Sequence, residues 1–176
     1  MNKTIFFTRF CLLNALIFVL VSGCAEYRLG TTLPAKLRDV YVVPIRNESG
    51  QPQVDLEVWH ALNAEIQREG TMKLSSEGRA STKLEVVIVG YDLEPVRYNR
   101  DNTKLPDEYR MVLRAHVVFT NLKEPNPSKA IIMDGVIEGD ETFLRGTDTI
   151  TARQRCLPAA GKKLANRIVE DCISVW

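Results

Sequence analysis

A regularly alternating segment between Tyr109 and Phe119 constrains the fold of this chain more than any other feature of the sequence. Its odd positions are apolar or aromatic, whereas Arg110, Arg114 and His116 occupy even positions between them. Because successive side chains of a β-strand point to opposite faces, this pattern predicts a strand with one buried and one solvated face. The strand must therefore belong to a sheet whose one face is covered by another layer of the protein, while the other face is in contact with solvent.

The rest of the chain supplies both the remaining strands and the covering layer. Apolar residues recur every four positions at Val58, Leu62 and Ile66, which predicts a helix over 55–69 that ends at Gly70. Further strands are predicted at 40–43, 72–75, 83–93 and 130–143. Together these elements predict an α+β fold, in which an antiparallel or mixed sheet carries two helices on one face.

The last strand and the last helix carry three informative residues. Gly135 and Gly139 lie inside the strand predicted at 130–143, and they indicate a bulge or a close backbone approach. In the C-terminal helix, Pro158 either occupies the first turn or kinks a longer helix that starts near Thr149. One face of that helix is apolar, formed by Leu157, Ala160, Leu164, Ile168 and Cys172.

The first 23 residues have the organisation of a secretory signal peptide. Lys3 and Arg9 precede an apolar run of about a dozen residues, which is shorter than the ~20 residues that a membrane-spanning helix needs. The tetrapeptide "VSGC" that follows is similar to a bacterial lipobox, so we expect cleavage after residue 23 and lipidation of Cys24. An ordinary cleaved signal and an uncleaved anchor are the alternatives.

The predicted domain organisation follows from that cleavage. Residues 24–37 are expected to form the lipid anchor and a tether, and residues 38–176 a single domain. Ala25 stands where an aspartate would favour retention at the inner membrane, so we expect the outer membrane. The mature chain has 21 basic and 22 acidic residues, and this balance gives no reason to expect binding to nucleic acid.

Cys156 and Cys172 are the two cysteines that remain outside the signal peptide and the lipidation site. Sixteen residues of helix would separate them by about 24 Å, whereas a disulfide requires Cα atoms within about 7 Å. The spacing argues against a bridge within the chain and for two thiols in the core or on the surface.

The sequence offers little to an enzyme. It contains no nucleophile in a recognisable elbow and no Cys/His set with zinc spacing, so we expect neither catalysis nor a metal or other cofactor. The acidic group "DGVIEGDE" is the one exception. It would form either a metal or acid/base site or a solvated strand face, and its members are Asp134, Glu138, Asp140 and Glu141.

A basic loop is predicted at 94–108, between two strands. Arg97, Tyr98, Arg100 and Lys104 lie within eight residues of one another. Guanidinium and ammonium groups beside an aromatic ring suit an anionic amphiphile, such as a phosphorylated glycolipid. Because acidic residues occur in the same loop, an ordinary solvated loop is the alternative.

Four segments together resemble the LptE family of outer-membrane lipoproteins: "SGC", "YVVPIRNES", "YRM" and "AAGKKLANRIVE". The resemblance implies a two-layer α+β sandwich of about four mostly antiparallel strands, with two helices packed on one face. It also implies that the protein plugs an LptD-like β-barrel and helps to insert lipopolysaccharide into the outer leaflet. The protein would be held by its lipid anchor at the periplasmic face of the outer membrane.

The same resemblance implies roles for particular residues. Lipopolysaccharide would bind Arg97 or Arg100 in the loop before "YRM", and Arg145 in the loop after the last strand. Lys104 joins this set because it lies in the same basic loop. The alternatives are another envelope assembly or secretion lipoprotein, curli-secretion-like or TolB-like, and a periplasmic enzyme.

Overall fold

A computed structural model of the protein describes residues 33–98, 105–146 and 148–175. They belong to one compact unit, Thr31–Trp176. The predicted signal peptide, Cys24 and the first part of the predicted tether lie outside the described residues. Within the described part of the chain, no helix combines the length and the apolar character needed to cross a membrane.

Six strands and three α-helices make up the described part of the fold. The strands are β1 (Asp39–Val42), β2 (Arg46–Asn47), β3 (Lys73–Leu74), β4 (Thr82–Tyr98), β5 (Pro106–Asn121) and β6 (Ile131–Leu144). The helices are α1 (Val54–Glu69), α2 (Pro127–Ala130) and α3 (Thr149–Ser174), and a short 3₁₀ turn (Ala35–Leu37) precedes β1.

The sheet is mixed and has more strands than predicted. Its order is β3-β1-β4-β5-β6, and β2 also pairs with β4. The three long strands are antiparallel to one another, whereas the short strands β1, β2 and β3 pair in parallel. The α+β class is therefore confirmed, and the count of about four strands is wrong. The strand of Arg46 and Asn47 is absent from the prediction, because only their pairing with Val87 and Ile88 makes them a strand.

The core lies between one face of the sheet and the two long helices. The odd positions of β5 from Met111 to Phe119 are fully buried, as the alternation predicts. The apolar faces of α1 and α3 pack against them in one cluster, which includes Val58, Leu62, Ile66, Ala160, Leu164 and Ile168. Burial of these side chains is the main stabilising contribution, at about 25 cal/mol per Å² of apolar surface.

Both long helices have defined ends. α1 ends where Gly70, at φ +80°, donates its N–H to the carbonyl of Ile66, so the predicted C-cap is confirmed. α3 begins after Asp148, whose carboxylate accepts hydrogen bonds from the backbone N–H groups of Ile150 and Thr151. It runs through Pro158, so the longer of the two predicted helices is the one that forms.

β4 and β5 extend further than predicted. Pairing continues through Pro95 opposite Tyr109 and Arg97 opposite Glu108, which shortens the predicted loop at 94–108. Pro95 is compatible with a strand here, because β1 and β2 pair with β4 no further than Ile88 and leave an edge beyond it. Much of the predicted basic loop is therefore a hairpin.

Gly139 is the point at which the last strand and the last helix meet. A Cβ atom built there would lie 2.4 Å from the backbone nitrogen of Leu164 in α3. The close approach predicted for this strand is therefore confirmed at Gly139. At Gly135 the added atom would meet nothing within 4 Å.

Two residues of the predicted tether lie in the core. Leu33 and Leu37 are each 1% exposed and belong to the main apolar cluster. The Nε of Arg38 donates to the carbonyl of Leu33 at 3.3 Å, which holds the short turn between them. The packed part of the chain thus includes Leu33.

Cys156 and Cys172 are free and buried, as the helical spacing predicts. Burial disfavours the thiolate and raises the pKa of Cys156 to about 11 and that of Cys172 to about 12. Because these pKa values exceed the ordinary value of 9.0, the thiols stabilise the fold fully below pH 9. That contribution is lost as the pH rises towards 11 and 12.

We therefore expect the free energy of unfolding to fall by about 1 kcal/mol per thiol between pH 8 and pH 10. Urea denaturation of the mature protein and of a Cys156→Ala/Cys172→Ala variant at both pH values measures this. The variant should lose about 2 kcal/mol less than the parent protein over the same interval. An identical pH dependence of the free energy of unfolding in the two proteins would contradict the prediction. It would mean that the two thiols have the same pKa in the folded protein as in the unfolded chain.

Candidate functional site

The three long strands finish together at one end of the sheet, which we call the hairpin end. There β4 stops at Tyr98, β5 starts at Pro106 and β6 stops at Leu144. The residue pairs Arg97–Glu108 and Glu108–Leu144 align the three strands at this end. α3 begins five residues after β6 finishes, so its first turn follows the hairpin end directly in the chain.

The structure brings two of the predicted basic residues to the hairpin end. Arg97 lies on β4 with its Nε 3.6 Å from an Oε atom of Glu108 on β5. Arg145 follows β6, and its backbone N–H donates to the carbonyl of Asp107 at 2.8 Å. The two arginines thus flank the start of β5 from its two neighbouring strands. Arg100 and Lys104 lie outside the described residues.

Both guanidinium groups can exchange their present surroundings for an anionic ligand. The Arg97 side chain is 62% exposed, and an ion pair at that exposure contributes about 0–1 kcal/mol. Arg145 is half-buried, and no ion pair joins its guanidinium to another described residue. A phosphate group offers a stronger, bidentate partner than either arginine has here.

Exposed apolar side chains occur at the same end of the sheet. Leu144 and Ile150 are 61% and 67% exposed, respectively. Large apolar side chains are rarely grouped on the surface of a protein unless they meet a partner or a ligand. The group at the hairpin end comprises Val96, Tyr98, Leu105, Leu144 and Ile150.

An open groove continues this apolar surface between β6 and α3. Its volume is about 410 Å³, within the ~300–1,000 Å³ typical of ligand pockets. Phe143 on one side stacks on Tyr109 with ring centroids 5.8 Å apart. Glu141 and Arg155 contribute the charged groups of the lining. The other lining residues are mostly small or apolar: Thr142, Phe143, Leu144, Ala152, Cys156 and Ala159.

A model of the family described as LptE, lipopolysaccharide-assembly, matches residues 25–172. The chain belongs to this family. It is therefore a lipopolysaccharide-assembly-type lipoprotein of the bacterial envelope. A comparison with curated proteins found no matching sequence.

Solved structures share the fold of this LptE-family chain. The protein CT253 from Chlamydia trachomatis superimposes with a TM-score of 0.56 at 9% identity, covering 77% of this chain and 95% of its own. The protein XCC0632 from Xanthomonas campestris superimposes with a TM-score of 0.55 at 10% identity, covering 83% and 89%. At these identities the likeness extends to the fold alone.

The acidic group predicted on the last strand does not converge on a metal in this LptE-family fold. Each of its carboxylates contacts a different basic side chain, which leaves the group as a polar surface with its partners already in place. The described residues include no cluster of three His, Cys, Asp or Glu side chains suited to a metal. The pairs are Asp134 with His116 at 2.7 Å, Glu138 with Arg114 at 3.8 Å, Asp140 with Arg167 at 3.1 Å and Glu141 with Lys163 at 3.1 Å.

Sequence reasoning found the basic half of the hairpin end and missed its apolar half. Val96, Tyr98 and Leu105 lie within the predicted basic loop at 94–108 and are apolar or aromatic residues close to the arginines in the sequence. The sequence signal for an apolar surface at this end was the presence of these three side chains among the charged residues of the loop. The groove could not be found in this way, because residues 141–144 and 152–159 meet only when α3 packs on β6.

Proposed function

We propose that this LptE-family lipoprotein is anchored through Cys24 to the periplasmic face of the outer membrane, where it plugs an LptD-like β-barrel. There it binds lipopolysaccharide and assists its assembly at the cell surface. Its role is to bind and position, without catalysis. Membership of the lipopolysaccharide-assembly family supports this proposal, and so does the chemistry of the hairpin end.

The observation that carries the proposal is the meeting of basic and apolar side chains at one end of the sheet. Lipopolysaccharide is an anionic amphiphile, with phosphate groups next to acyl chains. Arg97 and Arg145 would bind phosphate oxygens through charge-assisted hydrogen bonds. Leu144 and the groove beside Phe143 would take up apolar chain at the same time.

The uncovered face of the sheet suits a position inside a barrel. Arg114 on β5 pairs with Asp92 on β4 and with Glu138 on β6, and His116 pairs with Asp134. The lumen of an outer-membrane barrel is polar, so a face that carries these paired polar side chains can lie against it. A lipid tether would keep the domain at a high effective concentration near its barrel.

Co-purification tests the barrel partnership. We expect the tagged full chain, extracted from membranes in mild detergent, to recover one predominant large β-barrel by mass spectrometry. An unrelated tagged outer-membrane lipoprotein from the same cells serves as the control and should not recover that barrel. Recovery of no barrel would contradict the proposal, and a ring-shaped homo-oligomer would favour the curli-secretion-like alternative.

A further inference from the structure

A second cavity lies on the opposite side of α3 from the groove. It has a volume of about 240 Å³ and opens between the segment that precedes α1, the middle of β4 and the first turns of α3. It shares no lining residue with the groove. The residues that line it are Gln51, Pro52, Gln53, Tyr91, Ile150, Arg153, Gln154 and Leu157.

Arg153 joins the three walls of this cavity. Its Nε donates to the hydroxyl oxygen of Tyr91 at 3.2 Å, and its Nη2 donates to the side-chain carbonyl of Gln51 at 3.1 Å. The guanidinium carbon also lies 5.6 Å from the centre of the Tyr91 ring. These contacts connect Arg153 to residues 62 and 102 positions away in the sequence. They use two of the five N–H donors of the guanidinium group, so the others are available to a ligand.

The charge of Arg153 is not neutralised by any described carboxylate. Arg68, Arg114 and Arg167, in contrast, each pair with an aspartate or a glutamate. Arg153 is partly buried and held by neutral groups only. A partly desolvated cation with unused N–H groups favours an anion in the adjoining space.

The start of α1 borders the cavity. Pro52 and Gln53 line the cavity, and α1 begins at the next residue, Val54. Gln53 makes no side-chain hydrogen bond to the first turn of α1. The partial positive charge of a helix N-terminus acts in the same direction as Arg153, although Asp55 and Glu57 in the first turn offset part of it, so Arg153 supplies the main attraction for an anion.

We propose that this cavity binds one sugar residue that carries a carboxylate or a phosphate. The fork of Arg153 would bind the anionic group, since its planar geometry matches both oxyanions. Hydroxyl groups of the sugar would exchange hydrogen bonds with the side-chain amides of Gln53 and Gln154 and with the Tyr91 hydroxyl. The volume accommodates a single ring, so a longer glycan would leave the cavity through its open side.

The site is independent of the hairpin end. Ile150 is the one residue that borders both sites, the polar side chains of the cavity are separate from those of the hairpin end, and its ligand needs no acyl chain. The anionic sugar could come from lipopolysaccharide or from another envelope glycan, and both have the chemistry that Arg153 recognises. The assignment of the cavity therefore does not depend on lipopolysaccharide being the ligand of Arg97 and Arg145.

Saturation-transfer NMR on the mature full chain in detergent micelles tests the proposal with glucuronate and glucose 6-phosphate as probes and glucose as the neutral comparison. We expect the anionic probes to bind at least about tenfold more tightly than glucose, a difference of about 1.4 kcal/mol. Arg153→Gln should remove this preference, and Tyr91→Phe should weaken binding a few-fold. Arg79→Gln is the matched control, because Arg79 is an exposed arginine that lines neither this cavity nor the groove.

Two results would overturn the site: equal binding of glucose and glucuronate, or equal losses in the Arg153 and Arg79 variants. Circular dichroism and thermal melts of each variant exclude loss of folding as the cause. A deacylated core oligosaccharide of lipopolysaccharide, added as a competitor, identifies the source of the sugar. Displacement of glucuronate indicates lipopolysaccharide, whereas glucuronate binding without displacement indicates another anionic glycan.

Discussion

The Gly139→Ala variant is expected to lose about 3 kcal/mol or more of its free energy of unfolding. The new Cβ would lie 2.4 Å from the backbone nitrogen of Leu164 and 2.5 Å from its Cα. Backbone atoms cannot turn aside as the end of a flexible side chain can. The clash is relieved only if α3 moves away from β6, which would open the apolar contacts of Leu164 and Ile168 with the sheet.

Gly135→Ala is the matched control on the same strand. Nothing lies within 4 Å of the Cβ that this substitution adds, so we expect a change within about 0.5 kcal/mol. Urea denaturation of both variants measures the difference between them. Equal stability of the two variants would mean that α3 does not approach β6 at Gly139 as closely as described.

The elements that could be predicted from the sequence are those whose pattern reflects burial. The alternation of β5 and the four-residue spacing of Val58, Leu62 and Ile66 both record which side chains face the core. Gly70 could be assigned because a helix end with positive φ favours glycine. Gly139 could be predicted as a close approach, since a glycine inside a strand usually has a packing reason.

The elements that could not be predicted depend on pairing between distant residues. β2 is two residues long and exists only through its bonds to β4. The far halves of β4 and β5 are rich in charged residues and contain Pro95, so local preference alone assigns them to a loop. Their pairing across the hairpin outweighs that preference, and it also places Arg97 near Arg145, which lies 48 positions later in the sequence.

Reversal of both charges at the hairpin end, Arg97→Glu with Arg145→Glu, is expected to weaken lipopolysaccharide binding by about tenfold or more. Each arginine would lose a charge-assisted hydrogen bond to phosphate, which contributes about 1.5–3 kcal/mol when it is well formed. Each new glutamate would also repel the phosphate. Arg97 is largely exposed, which places the expected loss at the lower end of that range.

The fold should tolerate the double reversal. The ion pair between Arg97 and Glu108 is exposed on the arginine side and contributes about 0–1 kcal/mol. The backbone N–H of Arg145, which bonds to Asp107, is kept in the variant. A thermal melt close to that of the parent protein would confirm that a change in binding does not arise from unfolding.

The measurement that tests the central claim most directly is the equilibrium binding of lipopolysaccharide to the parent protein and to two double variants at physiological ionic strength. The second variant, Lys83→Glu with Lys129→Glu, has the same net charge as the first but carries its changes at the opposite end of the sheet. We predict a loss of about tenfold or more for the Arg97/Arg145 variant and near-parental affinity for the Lys83/Lys129 variant. Equal affinities of the two variants would contradict the assignment of lipopolysaccharide to the hairpin end.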